Sequence, residues 1–400
     1  MPTKKHLRLL YLVPEFPSQT HAFFWREVQA LRSRGVEVVL VSTRRPPDGA
    51  CRHAFAKDAG EQTHYLFPPN WLSDSLFLLL HPVAAVKALR YVMGLRESSL
   101  PQRLALAPLV LPAVTLCRLS HKQSADHLHV HSFANAAHVA ALAKMIGGCS
   151  FSLTLHGDLE VYGKDHVSKT RHAKFVTCVT APLRRQVVER LALAESKVHL
   201  LWMGVDTGRF KPLEKNERHS SDPLSLLSVA RLHINKGHRF ALRAIKHLKT
   251  QGVNVRYTIV GDGPEKSAIE EEVRALELSD SVKLVGSRSE TEVLDLLQSS
   301  DVLLLTSIGT GEAAPVAVME AMACGLPVIC SLIGGTRDMI DHSKDGFLVA
   351  QESVDDIAVC IEQLFDDPVL RLNIGKAARL RAQQQFDCYT LAKDFLSFIE

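Results

Sequence analysis

Short apolar runs rich in β-branched residues recur along the chain, and each is followed by apolar positions at helical spacing. Both faces of these runs are apolar, which is typical of parallel strands covered by helices on both sides. The pattern predicts strands over residues 7–13, 36–41, 128–131, 151–155, 175–180 and 198–201, then over 224–230, 255–260, 282–285, 302–305, 328–330 and 347–349. Strands that alternate with helices predict an α/β protein with two doubly wound, Rossmann-like parallel sheets.

A polar segment separates the two halves of this pattern. Residues 211–223 are rich in charged and polar side chains and contain prolines near both ends, which is typical of a linker. We predict a first lobe over residues 1–205, a linker over 206–223, a second lobe over 224–375 and a C-terminal helix over 376–400 that docks on either lobe, one option being to cross back to the first. The carboxyl ends of both sheets are expected to face an interlobe cleft, where open α/β sheets bind ligands.

The region over residues 71–118 is rich in Leu, Val and Ala. Its longest charge-free runs, residues 75–86 and 104–117, are shorter than the roughly 20 residues that a spanning helix needs, so no membrane span is predicted. The region forms either buried or amphipathic helices of the first lobe, or a surface that lies on a bilayer. For the bilayer surface the contacting side chains would be leucines with Trp71, Phe77, Lys87, Arg90 and Arg96.

Composition and charge narrow the class of protein. The 400 residues are 46% hydrophobic and 22% charged, as expected for folded globular domains rather than a disordered chain. A net charge of +4 without a run of five basic residues makes nucleic acid an unexpected partner. The eight cysteines form no C-x-x-C motif, which favours a reducing cytosol. The apolar stretch 9–13 is too short for a signal peptide, so we expect a cytoplasmic protein.

Two cations follow the first strand of the second half. Arg231 and Lys236 stand five residues apart, with Gly237 directly behind them. An arginine offers a bidentate fork and a lysine a point charge, which suits a diphosphate. Two solvated surface cations would have the same spacing, so both interpretations remain open at this point.

Two glutamates flank the start of a predicted helix of about ten residues, with Pro315 in its first turn and Gly325 after it. Glu312 precedes the helix, beside the amides of Ala313 and Ala314, and Glu320 lies inside it. Helix-start amides favour anionic or hydroxyl-rich ligands, and carboxylates accept hydrogen bonds from sugar or ribose hydroxyls. The alternative for Glu320 is a structural ion pair with a nearby cation.

Further candidates carry weaker signals. The turn Gly261-Asp262-Gly263-Pro264 lacks the third glycine of a dinucleotide fingerprint, and backbone groups near Arg288 are placed to contact a nucleobase. In the first lobe, His156 follows a strand and is either a substrate contact or structural. Ser18, Gln19 and Thr20 form a possible anion-facing turn ahead of a helix expected from Ala22. His127, His129 and His131 alternate along one strand, but no metal site is expected.

Together these motifs resemble the nucleotide-sugar-dependent retaining glycosyltransferases of family four, which have the GT-B fold. The resemblance rests on Ser228-Val-Ala-Arg231 with Lys236-Gly237, Gly261-Asp-Gly263-Pro264, Glu312-x7-Glu320, Gly334-Gly335, and the connector-like Gly204-Val-Asp206 with Phe210-Lys-Pro212. In the first half, Phe16-Pro17, His129-Val-His131-Ser-Phe-Ala and Phe151-Ser-Leu-Thr-Leu-His156 resemble bacterial exopolysaccharide enzymes of the colanic-acid type.

The resemblance implies roles for these residues. The first lobe would bind the acceptor, and the second the nucleotide sugar. Arg231 and Lys236 would bind the donor diphosphate, Glu320 the ribose, and Glu312 with the following amides the donor sugar. His156 would lie beside the transferred sugar. The implied donor-binding set is Arg231, Lys236, Gly263, Arg288, Glu312, Ala313, Ala314, Pro315 and Glu320, the implied catalytic set is His156, Glu312, Arg231 and Lys236, and Ser18, Gln19 and Thr20 form an acceptor or diphosphate turn.

The implied reaction is metal-independent and retaining. A hexose would move from a GDP- or UDP-sugar to a hydroxyl of a glycan or polyprenyl-diphosphate-linked glycan, with peripheral contact at the cytoplasmic face of the inner membrane. No cofactor is expected, and the chain has no Asp-x-Asp motif, the usual metal-diphosphate signature of the other large glycosyltransferase fold.

The chain departs from the family pattern in two places: it lacks a Gly-Gly turn after the first strand, and Asp338 stands where a glutamate is common. The alternatives are a sugar-nucleotide epimerase, a pyridoxal-phosphate phosphorylase on the same fold, or a catalytically silent partner that binds nucleotide sugar within a polysaccharide assembly complex.

Overall fold

A computed structural model of the chain describes residues 6–47, 49–213, 222–309 and 312–400. The chain divides into two compact units. The N-terminal unit comprises the residues up to Leu201 together with Ala392–Glu400, and the C-terminal unit comprises Trp202–Leu391.

The N-terminal unit is built on a parallel sheet of seven strands in the order β3-β2-β1-β4-β5-β6-β7. The strands are β1 Arg8–Glu15, β2 Glu37–Arg44, β3 His64–Phe67, β4 His127–Val130, β5 Ser150–Leu155, β6 Val176–Cys178 and β7 Val198–Leu200. The predicted strands are confirmed, and β3 is an additional one. This edge strand is four residues long and has only Leu66 buried.

Nine helices of the N-terminal unit lie among the described residues. They are α1 Ala22–Ser33, α2 Ala56–Gln62, α3 Trp71–Leu80, α4 Pro82–Met93, α5 Leu100–Leu106, α6 Val110–Lys122, α7 Asn135–Met145, α8 His166–Thr170 and α9 Ala181–Leu191. The first begins at Ala22, as predicted.

The C-terminal unit repeats the architecture with a parallel sheet of six strands in the order β10-β9-β8-β11-β12-β13. The strands are β8 Leu224–Val229, β9 Val255–Val260, β10 Val282–Gly286, β11 Val302–Leu305, β12 Val328–Ser331 and β13 Phe347–Val349. The helices are α10 His238–Thr250, α11 Lys266–Ala275, α12 Glu290–Ser299, α13 Val316–Ala323, α14 Thr336–Met339, α15 Val354–Asp366, α16 Pro368–Gln385 and α17 Cys388–Ile399. Both sheets are therefore the doubly wound parallel sheets expected.

The C-terminal helix predicted over residues 376–400 is wrong as a single element. The structure ends α16 at Gln385 and begins α17 at Cys388. Asp387 interrupts the helix because its backbone pairs with Val205 and its carboxylate accepts a hydrogen bond from the Thr390 amide at 3.0 Å. Within the N-terminal unit, the end of α17 packs Phe395 on His129, with ring centroids 4.5 Å apart.

The segment after residue 201 belongs to the C-terminal unit. The Val205 amide donates to the Phe386 carbonyl at 2.8 Å, and Phe210 is fully buried. The described part of the predicted linker, residues 206–213 and 222–223, thus includes side chains packed on this unit. Residues 214–221 of that linker lie outside the described part of the chain.

The apolar region over residues 71–118 has two different surroundings. Helix α6 is largely buried and packs against α7, whereas α3 and α4 expose large apolar side chains. Among the described residues, Leu100–Lys122 is the one helical stretch long and apolar enough to cross a membrane by length and composition, although no span was predicted. The stretch is this long because α5 continues into α6 through a short turn that includes Pro108. The length of the charge-free runs in the sequence does not show this continuation.

Candidate active site

The loop after β8 packs against the residue that follows β11 and is hydrogen-bonded to it. Gly237, the residue before α10, has φ +61°, and a Cβ there would lie 2.0 Å from the Thr306 carbonyl oxygen. The Thr306 hydroxyl donates to the Gly237 carbonyl at 3.0 Å. Only glycine fits this close approach, so the loop that carries Lys236 is held in one place.

The structure brings together two of the predicted residues, Lys236 and Glu312. Their ammonium and carboxylate groups form an ion pair, and the Ser307 hydroxyl donates to the same carboxylate oxygen at 3.2 Å. Both side chains are partly exposed, 20% for Lys236 and 15% for Glu312, so a ligand can reach them. The pair combines a positive charge and a hydrogen-bond acceptor in one spot.

The Gly334-Gly335 turn positions the Glu312 backbone. A Cβ on Gly334 would lie 1.9 Å from the Glu312 carbonyl oxygen, and the Gly335 amide donates to the Ala313 carbonyl at 2.7 Å. The loop before α13 is therefore held by the turn after β12. Residues 310 and 311 of this loop lie outside the described residues.

Arg231 is exposed in the loop that follows β8, and the glycine turn after β9 packs against this loop. A Cβ on Gly261 would lie 1.9 Å from the Ala230 carbonyl, and one on Gly263 would lie 2.3 Å from the Leu232 carbonyl. The ring of His238 donates through Nε2 to the Arg231 carbonyl at 3.3 Å. Burial lowers the pKa of His238 to about 4, so this ring is neutral at pH 7.

Helix α13 is placed as predicted, with one correction. Pro315 is the residue before the helix rather than part of its first turn, because its ψ of 114° is extended. Ala314 is buried at this helix start, and Glu320 is 7% exposed inside the helix.

Arg288 lies near the edge strand β10, where it forms an ion pair with Glu292 at 3.2 Å.

His156 belongs to the N-terminal unit and directly follows β5. Its Nε2 shares a hydrogen bond with His131 Nδ1 at 3.1 Å, and the rings of Phe23 and Phe24 lie 5.8 Å from its ring. Burial, followed by the nearby His131 and His21, lowers the pKa of His156 well below its usual value. His156 is therefore neutral at pH 7.

The alternating histidines of β4 face hydroxyl groups on β5. His129 Nδ1 lies 2.7 Å from the Ser152 hydroxyl, and its Nε2 lies 2.8 Å from the Thr154 hydroxyl. Potential ligand atoms of Glu27, His129 and His131 lie within 4.8 Å of one another, close enough for a metal ion. Since both ring nitrogens of His129 are already hydrogen-bonded, this cluster is better suited to a hydrogen-bond network.

The turn with Ser18, Gln19 and Thr20 precedes α1. The Gln19 side chain accepts from the Arg52 amide at 2.9 Å, and its carbonyl lies 2.9 Å from His53 Nε2. The Ser18 carbonyl accepts from the His21 amide at 3.1 Å, and Thr20 is exposed. Gln19 is therefore engaged in holding the neighbouring loop, which leaves Ser18 and Thr20 as the candidates for ligand contact.

Sequence reasoning missed three residues that these sites use. Ser307 contacts Glu312, and Tyr11 and Glu27 lie beside the histidines of the N-terminal unit. The available signal for Glu27 was a carboxylate between two residues that are buried on α1, Arg26 and Val28. Nothing in the local pattern of Tyr11 or Ser307 distinguishes them from core strand and loop residues.

Comparisons with known proteins show the family of the chain. The family described as Glycosyltransferase Family 4 matches residues 22–209, and the family described as Glycosyl transferases group 1 matches residues 210–381. The amylovoran biosynthesis glycosyltransferase AmsK of Erwinia amylovora is 26% identical over 98% of this chain and 99% of its own length. The putative colanic acid biosynthesis glycosyltransferase WcaL of Salmonella typhimurium is 26% identical over 98% of this chain and its full length, 100%.

Solved structures show the same fold. The Anabaena protein Alr3699/HepE in complex with UDP-glucose superposes with a TM-score of 0.73 at 17% identity, over 98% of this chain and 99% of that one. At this identity the likeness establishes the two-sheet GT-B architecture.

Proposed function

The chain belongs to the family-four glycosyltransferases with the GT-B fold, and on that premise we propose that it transfers a hexose from a nucleoside-diphosphate sugar to a glycan hydroxyl with retention of configuration. The observation that carries the proposal is the ion pair between Lys236 and Glu312 at the carboxyl ends of β8 and β11, near the exposed Arg231. This arrangement offers cations to a diphosphate and a carboxylate to a sugar hydroxyl.

In this proposal the cations act on the leaving group. As the bond between the anomeric carbon and the donor oxygen breaks, negative charge develops on the diphosphate, and Arg231 and Lys236 stabilise it electrostatically. Glu312, with the Ala313 and Ala314 amides, binds the sugar hydroxyls, while Glu320 binds the ribose. Gly263 lets the backbone of its turn come close to the bound donor. Arg288 lies near the nucleobase of that donor.

Retention requires that the new bond forms on the face from which the leaving group departs. The acceptor oxygen attacks that face of the oxocarbenium-like sugar, and its proton passes to the leaving phosphate oxygen. No protein base is needed for this step, and His156 contributes a neutral contact to the transferred sugar. Two protein cations supply the positive charge, so we propose that the transfer needs no metal ion.

A panel of nucleotide sugars tests the donor. A GDP- or UDP-sugar that binds the folded state raises the melting temperature by mass action. The Arg231→Ala variant is expected to lose most of this shift, whereas Arg274→Ala, on the C-terminal part of α11, keeps it. NMR of the product made with the active donor then reads the anomeric configuration. An inverted product, or full turnover by Arg231→Ala at saturating donor, refutes the proposal.

The acceptor is proposed from the relatives and from the surface of α3 and α4. AmsK and WcaL are named for amylovoran and colanic acid biosynthesis, so we propose a glycan of a surface or exopolysaccharide, carried on a polyprenyl diphosphate, as the acceptor. Apolar side chains at helical spacing are exposed on both helices: Leu72 87%, Leu76 54%, Leu79 79%, Val83 69%, Val86 48% and Leu89 62%.

Three exposed cations are near these apolar residues in the sequence. Lys87 and Arg90 lie on α4 and Arg96 follows it. Apolar side chains beside cations favour an anionic lipid surface. We propose that the enzyme works in the cytoplasm and contacts the inner membrane through α3 and α4. Binding to vesicles of anionic phospholipid, absent for vesicles of neutral phospholipid, tests this part separately from transfer.

A further inference from the structure

Four buried polar atoms lie in one cluster around His131, and none makes a hydrogen bond of ordinary geometry among the described residues. They are the Tyr11 hydroxyl, Glu27 Oε1, His131 Nε2 and His156 Nδ1. The ring of His131 lies 4.6 Å from that of Tyr11 and 5.3 Å from that of His156, so these atoms belong to one cluster. Buried polar groups without partners are rare in folded proteins, and a cluster of them calls for an explanation.

The atoms of this cluster are aligned as a relay. His131 Nε2 faces Glu27 Oε1 at 3.5 Å, and His131 Nδ1 contacts His156 Nε2 at 3.1 Å. Each ring nitrogen of His131 therefore faces a different partner. The relay runs from the carboxylate on α1 through the histidine that follows β4 to the histidine that follows β5.

We propose that Glu27 and His131 are positioning residues that hold His156 in one neutral tautomer, with its proton on Nε2 and its lone pair on Nδ1. The role of His156 in sugar transfer rests on the proposed function. The tautomer of His156 is argued from the contacts of Glu27, His131 and His156 alone. The family resemblance implies a role for His156 itself, and Glu27 and His131 add the groups that orient it.

The direction of each proton follows from the chemistry of the partners. A carboxylate group accepts hydrogen bonds, so the proposed relay has a His131 proton on Nε2, directed at Glu27. In this arrangement Nε2 carries the single proton of His131 and Nδ1 holds its lone pair, so the 3.1 Å contact is completed by a His156 proton on Nε2. Nδ1 of His156 is left as an acceptor, which matches its lack of a partner.

Tyr11 completes the arrangement at the carboxylate. Burial and the neighbouring Glu27 raise the pKa of the Tyr11 hydroxyl well above its usual value, so this group stays protonated. The hydroxyl is therefore a hydrogen-bond donor beside the Glu27 carboxylate. The rings of Phe23 and Phe24 pack around His156 and limit its rotation.

The test measures the tautomer directly. In ¹⁵N-histidine-labelled full-length protein at pH 7.5, two-bond proton–nitrogen correlations distinguish protonated from unprotonated ring nitrogens. Comparison with His156→Gln and His131→Asn assigns the two rings. We expect His156 and His131 to carry their protons on Nε2. A proton on Nδ1 of His156 in the unmodified chain overturns the proposal without the need for any relay variant.

Glu27→Gln then tests the cause, because an amide can donate to His131 Nε2 as well as accept from it. The variant is expected to populate both tautomers of His156 and to lower kcat roughly tenfold or more while the donor KM changes less than about twofold. Glu189→Gln, the same change on the exposed side of α9, should match the unmodified chain. Unchanged tautomers in folded Glu27→Gln contradict the relay.

A stoichiometric metal ion on the purified chain, measured by mass spectrometry and lost with His131→Asn, would also overturn the relay in favour of metal ligation. The two proposals fail separately. If His156 has the other tautomer but the chain binds nucleotide sugar, only the relay proposal is contradicted. If His156 has the expected tautomer but the chain binds no donor, only the proposed function is contradicted.

Discussion

Lys236 and Glu312 form an ion pair although 76 residues separate them in the chain. The pair exists because β8 and β11 are neighbours in the sheet, so the loops after both strands leave at the same edge. Two glycines, Gly237 and Gly334, let the backbone segments approach closely enough for the side chains to meet.

Glu312→Gln should lower turnover much more than donor affinity. The amide cannot balance the Lys236 charge or accept as strongly from a sugar hydroxyl, so kcat is expected to fall by roughly 100-fold, the size seen for loss of one electrostatic contact in an active site. Steady-state kinetics with the donor found in the nucleotide-sugar panel measures this. Glu271→Gln, on the exposed face of α11, serves as the control and should keep full turnover. Equal kcat values for the two variants would remove Glu312 from the reaction.

Gly237→Ala should be far more damaging than Gly252→Ala. Both glycines have positive φ, +61° and +84°, but a Cβ at 237 meets the Thr306 carbonyl at 2.0 Å while one at 252 meets nothing within 4 Å. The left-handed backbone alone costs about 1–2 kcal/mol for a residue with a Cβ, and only Gly237→Ala adds the clash. Urea unfolding monitors stability, and the donor-induced thermal shift monitors displacement of Lys236. Comparable stability losses in both variants would show that the contact between the loop and β11 is unimportant.

The N-terminal unit should lose stability below pH 6.5 through its buried neutral histidines. Burial lowers the pKa of His138 to about 3, and its Nδ1 lies 2.7 Å from the Tyr91 hydroxyl. The unfolded chain binds this proton near pH 6.5 and the folded chain does not, so the free energy of unfolding falls by about 1.4 kcal/mol per pH unit between pH 6.5 and the folded pKa.

His138→Gln keeps an acceptor for Tyr91 but does not titrate. Urea unfolding of this variant between pH 6.5 and 4.5 should show a pH slope smaller by about 1.4 kcal/mol per pH unit. The matched control is the same change at the exposed His64. The prediction fails when His138→Gln has the same slope as the unmodified chain.

Charges on the apolar face of α3 should abolish binding to anionic vesicles. Leu76→Asp with Leu79→Asp places two carboxylates on side chains that are 54% and 79% exposed, so the fold tolerates them while the lipid surface repels them. Vesicle sedimentation is expected to show at least a tenfold weaker association. The matched control is Val369→Asp with Leu372→Asp on α16, where the side chains are 66% and 57% exposed. Unaltered sedimentation of the α3 variant would exclude this surface as the membrane contact.

Much of the fold followed from local pattern. The strands of both sheets showed as apolar runs because a strand buried on both faces needs apolar residues at every position. The edge strand β3 was not predicted, and only one of its four residues is buried. The break between α16 and α17 also escaped prediction, because the cause is the pairing of Asp387 with Val205, 182 residues earlier.

The residues of the candidate site could likewise be predicted from the sequence, whereas their contacts could not. Arg231 and Lys236 stood out as cations after a strand, and the glutamates stood out as carboxylates before and inside an apolar helix, Glu312 and Glu320. That Lys236 meets Glu312, and that Glu27 and His131 lie in line with His156, depended on strand order and helix packing.

The sequence by itself determined two parallel sheets with helices between their strands, and the family, since hydrophobic period and motif spacing are properties of neighbouring residues. Tertiary structure alone decided which charges pair, which nitrogen of a histidine faces which partner, and that α3 and α4 present their leucines outward. The physical reason is that these are contacts between segments far apart in the chain. Their geometry is set to within an ångström by strand order and close backbone approach, and no local pattern encodes that distance.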